Sequence, residues 1–194
     1  MTPTATHTRH TSASDPFPEL GPIEFDADRI RDRVRALAED ISDAYLGSDV
    51  VLVGILPGAV MFVADLLRSL SIQAGLDFIA ISRFGPSEST QGAVHILKDM
   101  ETPIGGKDVL LVEDIVDTGL TLHHIMGILI PRQPASIKVC AFLERPARRL
   151  VRIPVEFVGF EAPEAFLVGY GLQFEGRYRQ LPYVAQLDEG VVAS

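Results

Sequence analysis

Two short, uninterrupted apolar runs constrain the fold of this chain more than any other feature. VVLVGIL occupies residues 50–56, and VLLV occupies residues 109–112, directly before two acids. Neither run is long enough for a buried helix, and neither alternates apolar with polar residues as a strand with one solvent-exposed face does. Strands that are apolar on both faces are typical of parallel sheets covered by helices. Both runs therefore predict central strands of a parallel sheet.

Each run begins a cycle of strand, turn and helix. Pro57 and Gly58 end the first strand, and the turn 117–121 follows the second. Apolar residues then recur at helical spacing after both turns. Strands that alternate with helices predict an α/β fold with a mostly parallel twisted sheet flanked by helices. The predicted elements are helices at residues 26–45, 61–70 and 122–129, and strands at residues 50–56, 108–115, 136–143 and 155–160.

Length and composition predict one domain with two segments outside the regular elements. A chain of 194 residues with 47% apolar content suits a single domain, residues 21–194. Residues 1–20 are rich in Thr, Ser, Pro and His and nearly free of large apolar groups before Phe17, which predicts a disordered tail. Residues 83–96 are polar, contain glycine and follow neither period. They form either a flexible lid over a site or a plain hairpin loop.

Net charge and hydropathy indicate which partners and which location to expect. A formal net charge of −9 argues against nucleic acid as a partner, because such proteins concentrate basic residues. No apolar run approaches the roughly 20 residues of a membrane span, and no secretory signal pattern is present, so we expect no membrane partner and a cytoplasmic location. The single cysteine, Cys140, lies in an apolar strand and is expected to be a buried, inert thiol.

Three acids stand where the second central strand ends. Glu113 and Asp114 close the strand, and Asp117 begins the turn Asp-Thr-Gly-Leu-Thr. Ligands of open parallel sheets bind beyond the carboxyl ends of the strands. The turn leads into a helix, so its N–H groups and hydroxyls suit a phosphate monoester. The two upstream carboxylates suit sugar hydroxyls or Mg²⁺.

The string from the aliphatic strand through Glu-Asp-x-x-Asp-Thr-Gly-x-Thr closely resembles the phosphoribosyl-pyrophosphate binding motif of type I phosphoribosyltransferases. Leu-Pro-Gly-Ala at residues 56–59 falls where that family has its pyrophosphate loop. Ile-Lys-Val at residues 137–139 resembles the strand that carries a purine-recognising Lys. Residues 155–184 are similar to the hood of hypoxanthine-guanine phosphoribosyltransferases. The resemblance spans roughly residues 22–185 and implies a small C-terminal hood, mainly residues 155–194 with the N-terminal segment.

The resemblance implies transfer of the 5-phosphoribosyl group of phosphoribosyl pyrophosphate to N9 of a 6-oxopurine, with release of pyrophosphate and with Mg²⁺ bound. Glu113 and Asp114 would hold the ribose hydroxyls and, with Gln173, contact the metal. Asp117 would be the general base near purine N7. The 5-phosphate would lie against Asp117, Thr118, Gly119, Leu120 and Thr121.

The same resemblance assigns the base and pyrophosphate contacts. Lys138 would donate to the purine O6, because an ammonium group accepts no hydrogen bond and so favours an oxo group over an amine. Phe166 would stack on the base, and the backbone of Leu167 and residue Gln173 would line its edge. The residues expected at the pyrophosphate are Pro57, Gly58, Arg83 and Arg179.

The chain departs from the family pattern at three places. Pro57 replaces a Lys of the pyrophosphate loop, so one positive charge and one N–H are lost. Gln173 replaces an Asp that ligates Mg²⁺, and a neutral amide oxygen is a poorer ligand for this hard cation. Arg83-Phe84 replaces Ser-Tyr at the start of the flexible loop, where Arg83 would restore positive charge. These changes predict an altered site that keeps its central acids.

Several alternatives stay open from the sequence. The purine is hypoxanthine, guanine or an analogue such as a 7-deazapurine. A catalytically weak, nucleotide-binding regulator is the alternative to an enzyme, whereas an RNA-binding regulator is disfavoured by the acidic balance. Relatives are commonly dimers or tetramers, so we expect a homo-oligomer. The apolar stretch 59–70 either forms a subunit interface or packs against the sheet.

Overall fold

The computed structural model describes residues 17–83 and 94–192, which form two sheets and four α-helices. Two short 3₁₀ helices lie at Ile130–Arg132 and Pro146–Arg148. The strands are β1 (Leu20–Phe25), β2 (Val50–Leu56), β3 (Gly75–Arg83), β4 (Val94–Lys98), β5 (Asp108–Val116), β6 (Ser136–Glu144), β7 (Phe157–Glu161), β8 (Leu167–Val168) and β9 (Val184–Leu187). The helices are α1 (Ala27–Ala44), α2 (Val60–Ser69), α3 (Leu120–Leu129) and α4 (Glu189–Val192).

The main sheet has six strands in the order β4-β3-β2-β5-β6-β7. Strands β3, β2, β5, β6 and β7 pair in parallel, and β4 pairs with β3 in antiparallel orientation at one edge. The α/β fold with a mostly parallel sheet is therefore confirmed. The predicted strands and helices are all present, with boundaries that differ by at most two residues. β3 and β4 were not among the predicted elements.

Both faces of the central strands are buried. Val50 and Leu52 of β2 pack on the same side as α1 and α2, whereas Val51 and Val53 pack on the side of α3. All four are at most 1% exposed, which explains why β2 reads as a continuous apolar run. Helix α1 begins at the predicted cap, where the Asp26 carboxylate accepts a hydrogen bond from the Arg29 N–H at 2.8 Å.

Helix α2 fills most of the stretch 59–70 for which two roles were open. Its residues Phe62, Val63 and Leu66 are buried in the core beside the sheet. Val60 and Met61 keep 36% and 38% of their surface exposed. The packing alternative therefore accounts for most of the apolar surface of this helix.

A second, smaller sheet joins the two ends of the chain. Its order is β1-β9-β8, with antiparallel pairing throughout. The expected hood range, residues 155–194, contains β8 and β9 but also β7, which is the edge strand of the main sheet. Residues 1–16 of the expected tail lie outside the described residues. Phe17 belongs to the described part, where its ring meets that of Tyr178 edge-on with centroids 5.9 Å apart.

No helix within residues 17–83 and 94–192 is long and apolar enough to cross a membrane. Cys140 lies in β6 and is fully buried. The predicted burial of this cysteine is confirmed, and burial raises the pKa of its thiol.

Asp77 fastens the antiparallel edge of the main sheet. Asp77 lies in β3, and its Oδ2 accepts hydrogen bonds from the N–H groups of Glu101 and Thr102 at 2.8 and 2.7 Å. Burial of Asp77 acts to raise its pKa, but the backbone donors of Thr102, Phe78 and Glu101 together with the Thr102 hydroxyl lower it by more, so the net pKa lies well below its usual value. Asp77 thus stabilises the fold as a carboxylate.

We expect Asp77→Asn to lower the free energy of unfolding by about 2–4 kcal/mol at neutral pH, because several charge-assisted hydrogen bonds are weakened together. A depressed pKa contributes stability above the unfolded-state value, so the difference from wild type is full above about pH 4 and shrinks as the pH falls below it. Urea denaturation across pH measures both. Asp49→Asn is the control, because this side chain is 71% exposed in a surface ion pair and its loss costs less than about 1 kcal/mol. Equal losses in the two variants would contradict this account.

Candidate active site

One large cavity lies at the carboxyl ends of the central strands and has a volume of about 600 Å³. Parallel pairing of β2, β5 and β6 brings the residues that follow each strand to one edge of the sheet. Residues 164–179 cover the other side. The lining includes Pro57, Gly58, Glu113, Asp114, Asp117, Arg145, Arg148, Glu164, Phe166, Leu167, Gln173 and Arg179.

The strand-end acids all face this cavity. Glu113 is 4% exposed and sits opposite Ala141 of β6 in the sheet. Asp114 is half-buried, and its Oδ1 accepts a hydrogen bond from the Ile115 N–H at 2.7 Å. A carboxylate pair at this depth, beside a large cavity, can accept hydroxyl hydrogen bonds or contact a divalent cation.

The loop after β2 packs closely against Asp114 of β5 on one side and against Gly171 of the covering segment, residues 164–179, on the other. The peptide bond between Leu56 and Pro57 is cis. A Cβ atom on Gly58 would lie 1.7 Å from Oδ2 of Asp114. A Cβ atom on Gly171 would lie 2.1 Å from the Gly58 carbonyl oxygen. Glycine at both positions therefore allows three chain segments to meet beside the cavity.

The turn after β5 forms the start of α3. Gly119 has a left-handed φ of 84°, and a Cβ there would lie 2.8 Å from the Val151 carbonyl oxygen. A small cavity of about 10 Å³, lined in part by Thr118, Gly119 and Thr121, lies against this turn. The first N–H groups of a helix have no carbonyl partner within the helix, so the start of α3 can bind an anion. Leu120 is the first residue of α3 and is 45% exposed.

Three arginines surround Asp117. Its Oδ2 lies 3.6 Å from Nη1 of Arg148 and 3.9 Å from Nη1 of Arg145. Arg149 donates to the Asp117 carbonyl oxygen at 3.0 Å and also pairs with Glu144. The other oxygen, Oδ1, is buried and accepts no hydrogen bond from the part of the chain that the structure describes. Such an oxygen is an available acceptor beside the cavity.

Arg145 is held in one orientation. Its Nε and Nη2 donate to the carbonyl oxygens of Pro163 and Ala165 at 3.0 and 2.5 Å. Its remaining terminal nitrogen, Nη1, is the one near Asp117. Arg145 is 8% exposed, and burial lowers its pKa, an effect that Asp117 partly offsets. The cavity thus contains a fixed guanidinium beside a carboxylate.

Lys138 does not lie at this site, which corrects its predicted purine contact. It is the third residue of β6 and pairs with Leu110, so roughly 20 Å of strand separates it from the cavity end. Its Nζ lies over the Tyr45 ring, 5.1 Å from the centroid. The resemblance of residues 137–139 to a family strand suggested Lys138, whereas the position of ligand sites at strand ends points to Arg145, directly after β6.

The remaining predicted contacts gather on the far wall. Phe166 is 40% exposed and lines the cavity, and its ring meets the Phe174 ring edge-on with centroids 5.4 Å apart. Leu167 is 6% exposed in β8. Arg179 donates from Nη1 to the Gly171 carbonyl oxygen. Arg83 ends β3, and the predictions for its side chain and for Phe84 lie outside the described residues.

The residues present fit a divalent cation only in part. Glu113 and Asp114 supply adjacent carboxylates, which suit a hard cation. Gln173 lines the cavity, but its Oε1 already accepts a hydrogen bond from the Gly176 N–H. Within residues 17–83 and 94–192 there is no group of three or more His, Cys, Asp or Glu arranged to hold a metal. A cation here would need oxygen atoms from its ligand to complete its coordination.

Comparisons with known proteins agree with this geometry. Residues 25–175 match the pattern of the phosphoribosyl transferase domain family. Hypoxanthine phosphoribosyltransferase of Escherichia coli K12 is 46% identical over 160 residues, which cover 81% of this chain and 90% of that protein. Hypoxanthine-guanine phosphoribosyltransferase of Mycobacterium avium is 42% identical over 171 residues, 85% of this chain and 84% of that one. The solved structure of a Staphylococcus aureus hypoxanthine phosphoribosyltransferase matches with a TM-score of 0.86 at 34% identity, covering 91% of this chain and 96% of that chain.

We expect Gly58→Ala to lower the free energy of unfolding by about 1–3 kcal/mol, because the new Cβ displaces the Asp114 carboxylate. Gly127→Ala is the matched control. Gly127 lies in α3 with nothing within 4 Å of an added Cβ, so alanine should stabilise the protein by up to about 1 kcal/mol. Urea denaturation of both variants should give effects of opposite sign. A Gly58→Ala variant as stable as wild type would show that the close contact is not present in solution.

Proposed function

The chain belongs to the phosphoribosyltransferase family, and we propose that it transfers the 5-phosphoribosyl group of phosphoribosyl pyrophosphate to N9 of a 6-oxopurine, releasing pyrophosphate. Hypoxanthine and guanine are the proposed bases. The observation that carries this proposal is the pair formed by Asp117 and Arg145 at one cavity with the strand-end acids Glu113 and Asp114. A carboxylate beside a fixed guanidinium matches a ring edge that carries a proton next to a carbonyl oxygen.

Asp117 and Arg145 divide the contacts to the base. Asp117 accepts the N7 proton as the bond from C1′ to N9 forms and the bond from C1′ to pyrophosphate breaks. Arg145 takes the role predicted for Lys138 and donates from Nη1 to O6. A guanidinium has no acceptor, so it disfavours an amine at that position. The exposed ring of Phe166 stacks on the base, and Leu167 lies at the base edge.

The sugar phosphate binds on the other side of Asp117. The N–H groups at the start of α3, with the Thr118 and Thr121 hydroxyls, hold the 5-phosphate. Gly119 and Leu120 contribute backbone to the same turn. Glu113 and Asp114 accept hydrogen bonds from the ribose hydroxyls. These assignments are supported by the strand-end positions of the acids and by the small cavity against the turn.

The pyrophosphate lies beside the Pro57-Gly58 loop and Arg179. Pro57 supplies neither charge nor an N–H, so Gly58 and Arg179 carry most of the binding there, together with Arg83 from the loop segment. Glu113 and Asp114 are the residues that would hold Mg²⁺. When bound, the metal neutralises negative charge on the pyrophosphate. Gln173 adds little, since its oxygen already accepts the Gly176 N–H.

The alternatives are a 7-deazapurine as the base and a regulator with weak turnover. A 7-deazapurine carries carbon in place of N7, so it would leave Asp117 without its proton-transfer partner. The absence of a charged side chain at Pro57 and the engaged oxygen of Gln173 favour weak turnover, as in a nucleotide-binding regulator. Assembly as a homodimer or tetramer and a cytoplasmic location remain predictions from the sequence.

The decisive assay incubates the protein with phosphoribosyl pyrophosphate, Mg²⁺ and one base at a time, and measures pyrophosphate release. The panel is hypoxanthine, guanine, xanthine, adenine and a 7-deazapurine. We expect turnover with hypoxanthine or guanine and none with adenine. Binding of phosphoribosyl pyrophosphate without turnover on any base would support the regulator instead.

Arg145→Gln tests the reassigned base contact. Loss of the charged donor to O6 should raise the KM for hypoxanthine about ten- to a hundredfold, because hydrogen bonds to charged groups contribute roughly 1.5–3 kcal/mol. Lys138→Gln is the matched control and should leave this KM within about twofold of wild type, since Lys138 lies at the other end of β6. The reverse ranking of the two variants would restore Lys138 as the base contact.

A further inference from the structure

A buried tyrosine links the segment that covers the cavity to helix α2. Tyr170 is 6% exposed, and its ring packs on Phe142 of β6 with centroids 4.8 Å apart. Its hydroxyl donates to Oδ2 of Asp65 at 2.7 Å. Burial raises the pKa of Tyr170, and the Asp65 hydrogen bond raises it further, so the phenol remains a donor across the working pH range. The other Asp65 oxygen is held by Arg68.

The backbone around Tyr170 is bent into an unfavourable shape. Gly169, Tyr170 and Gly171 all have positive φ, at 99°, 50° and 96°. This conformation costs free energy for a residue that is not glycine, so contacts of the Tyr170 side chain have to stabilise it. The hydrogen bond to Asp65 and the packing on Phe142 are those contacts.

The bend places Gly171 directly against the pyrophosphate loop. Gly171 fits against the Gly58 carbonyl oxygen, and Gly58 fits against the Asp114 carboxylate, both without room for a Cβ. The Gly171 carbonyl also accepts the hydrogen bond from Arg179. Any shift of Gly171 is therefore passed to Gly58 and Arg179, the residues proposed to hold pyrophosphate.

Asp65 and Gly58 belong to the same rigid unit. Helix α2 starts at Val60, and the Val63 N–H donates to the Ala59 carbonyl at 2.8 Å, so the loop continues directly into the helix. Asp65 lies about 8 Å along α2 from its start. The covering segment thus touches this unit twice, through Gly171 at the loop and through Tyr170 at Asp65.

We propose that the hydrogen bond between Tyr170 and Asp65 positions the pyrophosphate side of the cavity and leaves the base side unaffected. The proposal rests on the proposed function. Phe166 and Leu167, on the base side, are held separately, because the Leu187 N–H donates to the Phe166 carbonyl at 2.8 Å and Leu167 pairs with Gln186. Tyr170 and Asp65 are positioning residues and do not contact the substrate.

The test measures KM for phosphoribosyl pyrophosphate and for hypoxanthine in Tyr170→Phe, Asp65→Ala and the double variant. Each single change should raise the first KM about three- to tenfold, with the second within about twofold of wild type. The double variant should resemble either single variant, since both remove one bond. Asp65→Asn keeps an oxygen acceptor for the Tyr170 hydroxyl. Its KM for phosphoribosyl pyrophosphate should therefore lie closer to that of wild type than to that of Asp65→Ala.

Tyr178→Phe is the matched control. It removes a phenol that donates to a carboxylate, that of Glu19, within the small cluster formed with Val168, Leu181 and Leu187. Both KM values should stay at wild-type levels, even if thermal unfolding occurs at a lower temperature. An unchanged KM for phosphoribosyl pyrophosphate in Tyr170→Phe, an equal rise of both KM values, or additive effects in the double variant would overturn the proposal.

Calorimetric titration with pyrophosphate and Mg²⁺ separates this proposal from the proposed function. Wild type that binds pyrophosphate without catalysing transfer would refute the function, and weaker binding by Tyr170→Phe would still support the positioning role. Equal pyrophosphate binding by wild type and Tyr170→Phe would refute the positioning role, even in an active enzyme. Wild type that neither binds pyrophosphate nor catalyses transfer would refute both.

Discussion

Parallel pairing of β2, β5 and β6 is the constraint on which the site depends. It places three chain segments at one edge of the sheet: the Pro57-Gly58 loop, the acids Glu113 to Asp117, and Arg145. Each segment is polar or glycine-bearing, and each lies at or directly after the carboxyl end of a strand that is largely buried on both faces. The core fixes the strands, so the groups beyond their ends are held in place without support from the ligand. Preorganisation of this kind suits a reaction whose main need is placement of charge.

The second constraint is the close approach of glycine backbone. Gly171, Gly58 and Asp114 stack in sequence with no space for a side chain between them. These contacts join the covering segment, residues 164–179, to the main sheet. The hydrogen bond from the Tyr170 hydroxyl to Asp65 adds a second link between this segment and helix α2. The cavity therefore lies between the main sheet and the covering segment, whose backbones are in direct contact at Gly58 and Gly171. A shift of Gly171 should therefore reach Gly58 and Asp114.

The sequence predicted the fold and the central acids because both depend on local patterns. Apolar runs marked β2 and β5, and the family motif marked Glu113, Asp114 and Asp117. The purine contact expected at Lys138 came from the resemblance of residues 137–139 to a family strand, which took no account of the distance of Lys138 from the cavity end of β6. The family resemblance implied that the N-terminal segment joins the C-terminal hood, but the pairing and register of β1 with β9 were not predicted, since the two strands are separated by almost the whole chain and neither has a distinctive period. The bend at Tyr170 was also hidden, because a tyrosine gives no sign of a positive φ.

Binding of phosphoribosyl pyrophosphate tests the central claim, that the acids at the end of β5 hold the sugar of a phosphorylated ligand. Calorimetric titration in the presence of Mg²⁺ should give one site per chain in wild type. A variant carrying both Glu113→Gln and Asp114→Asn should bind at least about tenfold more weakly, since charged acceptors for the ribose hydroxyls and the metal are lost. Equal affinity in the two proteins would contradict the account.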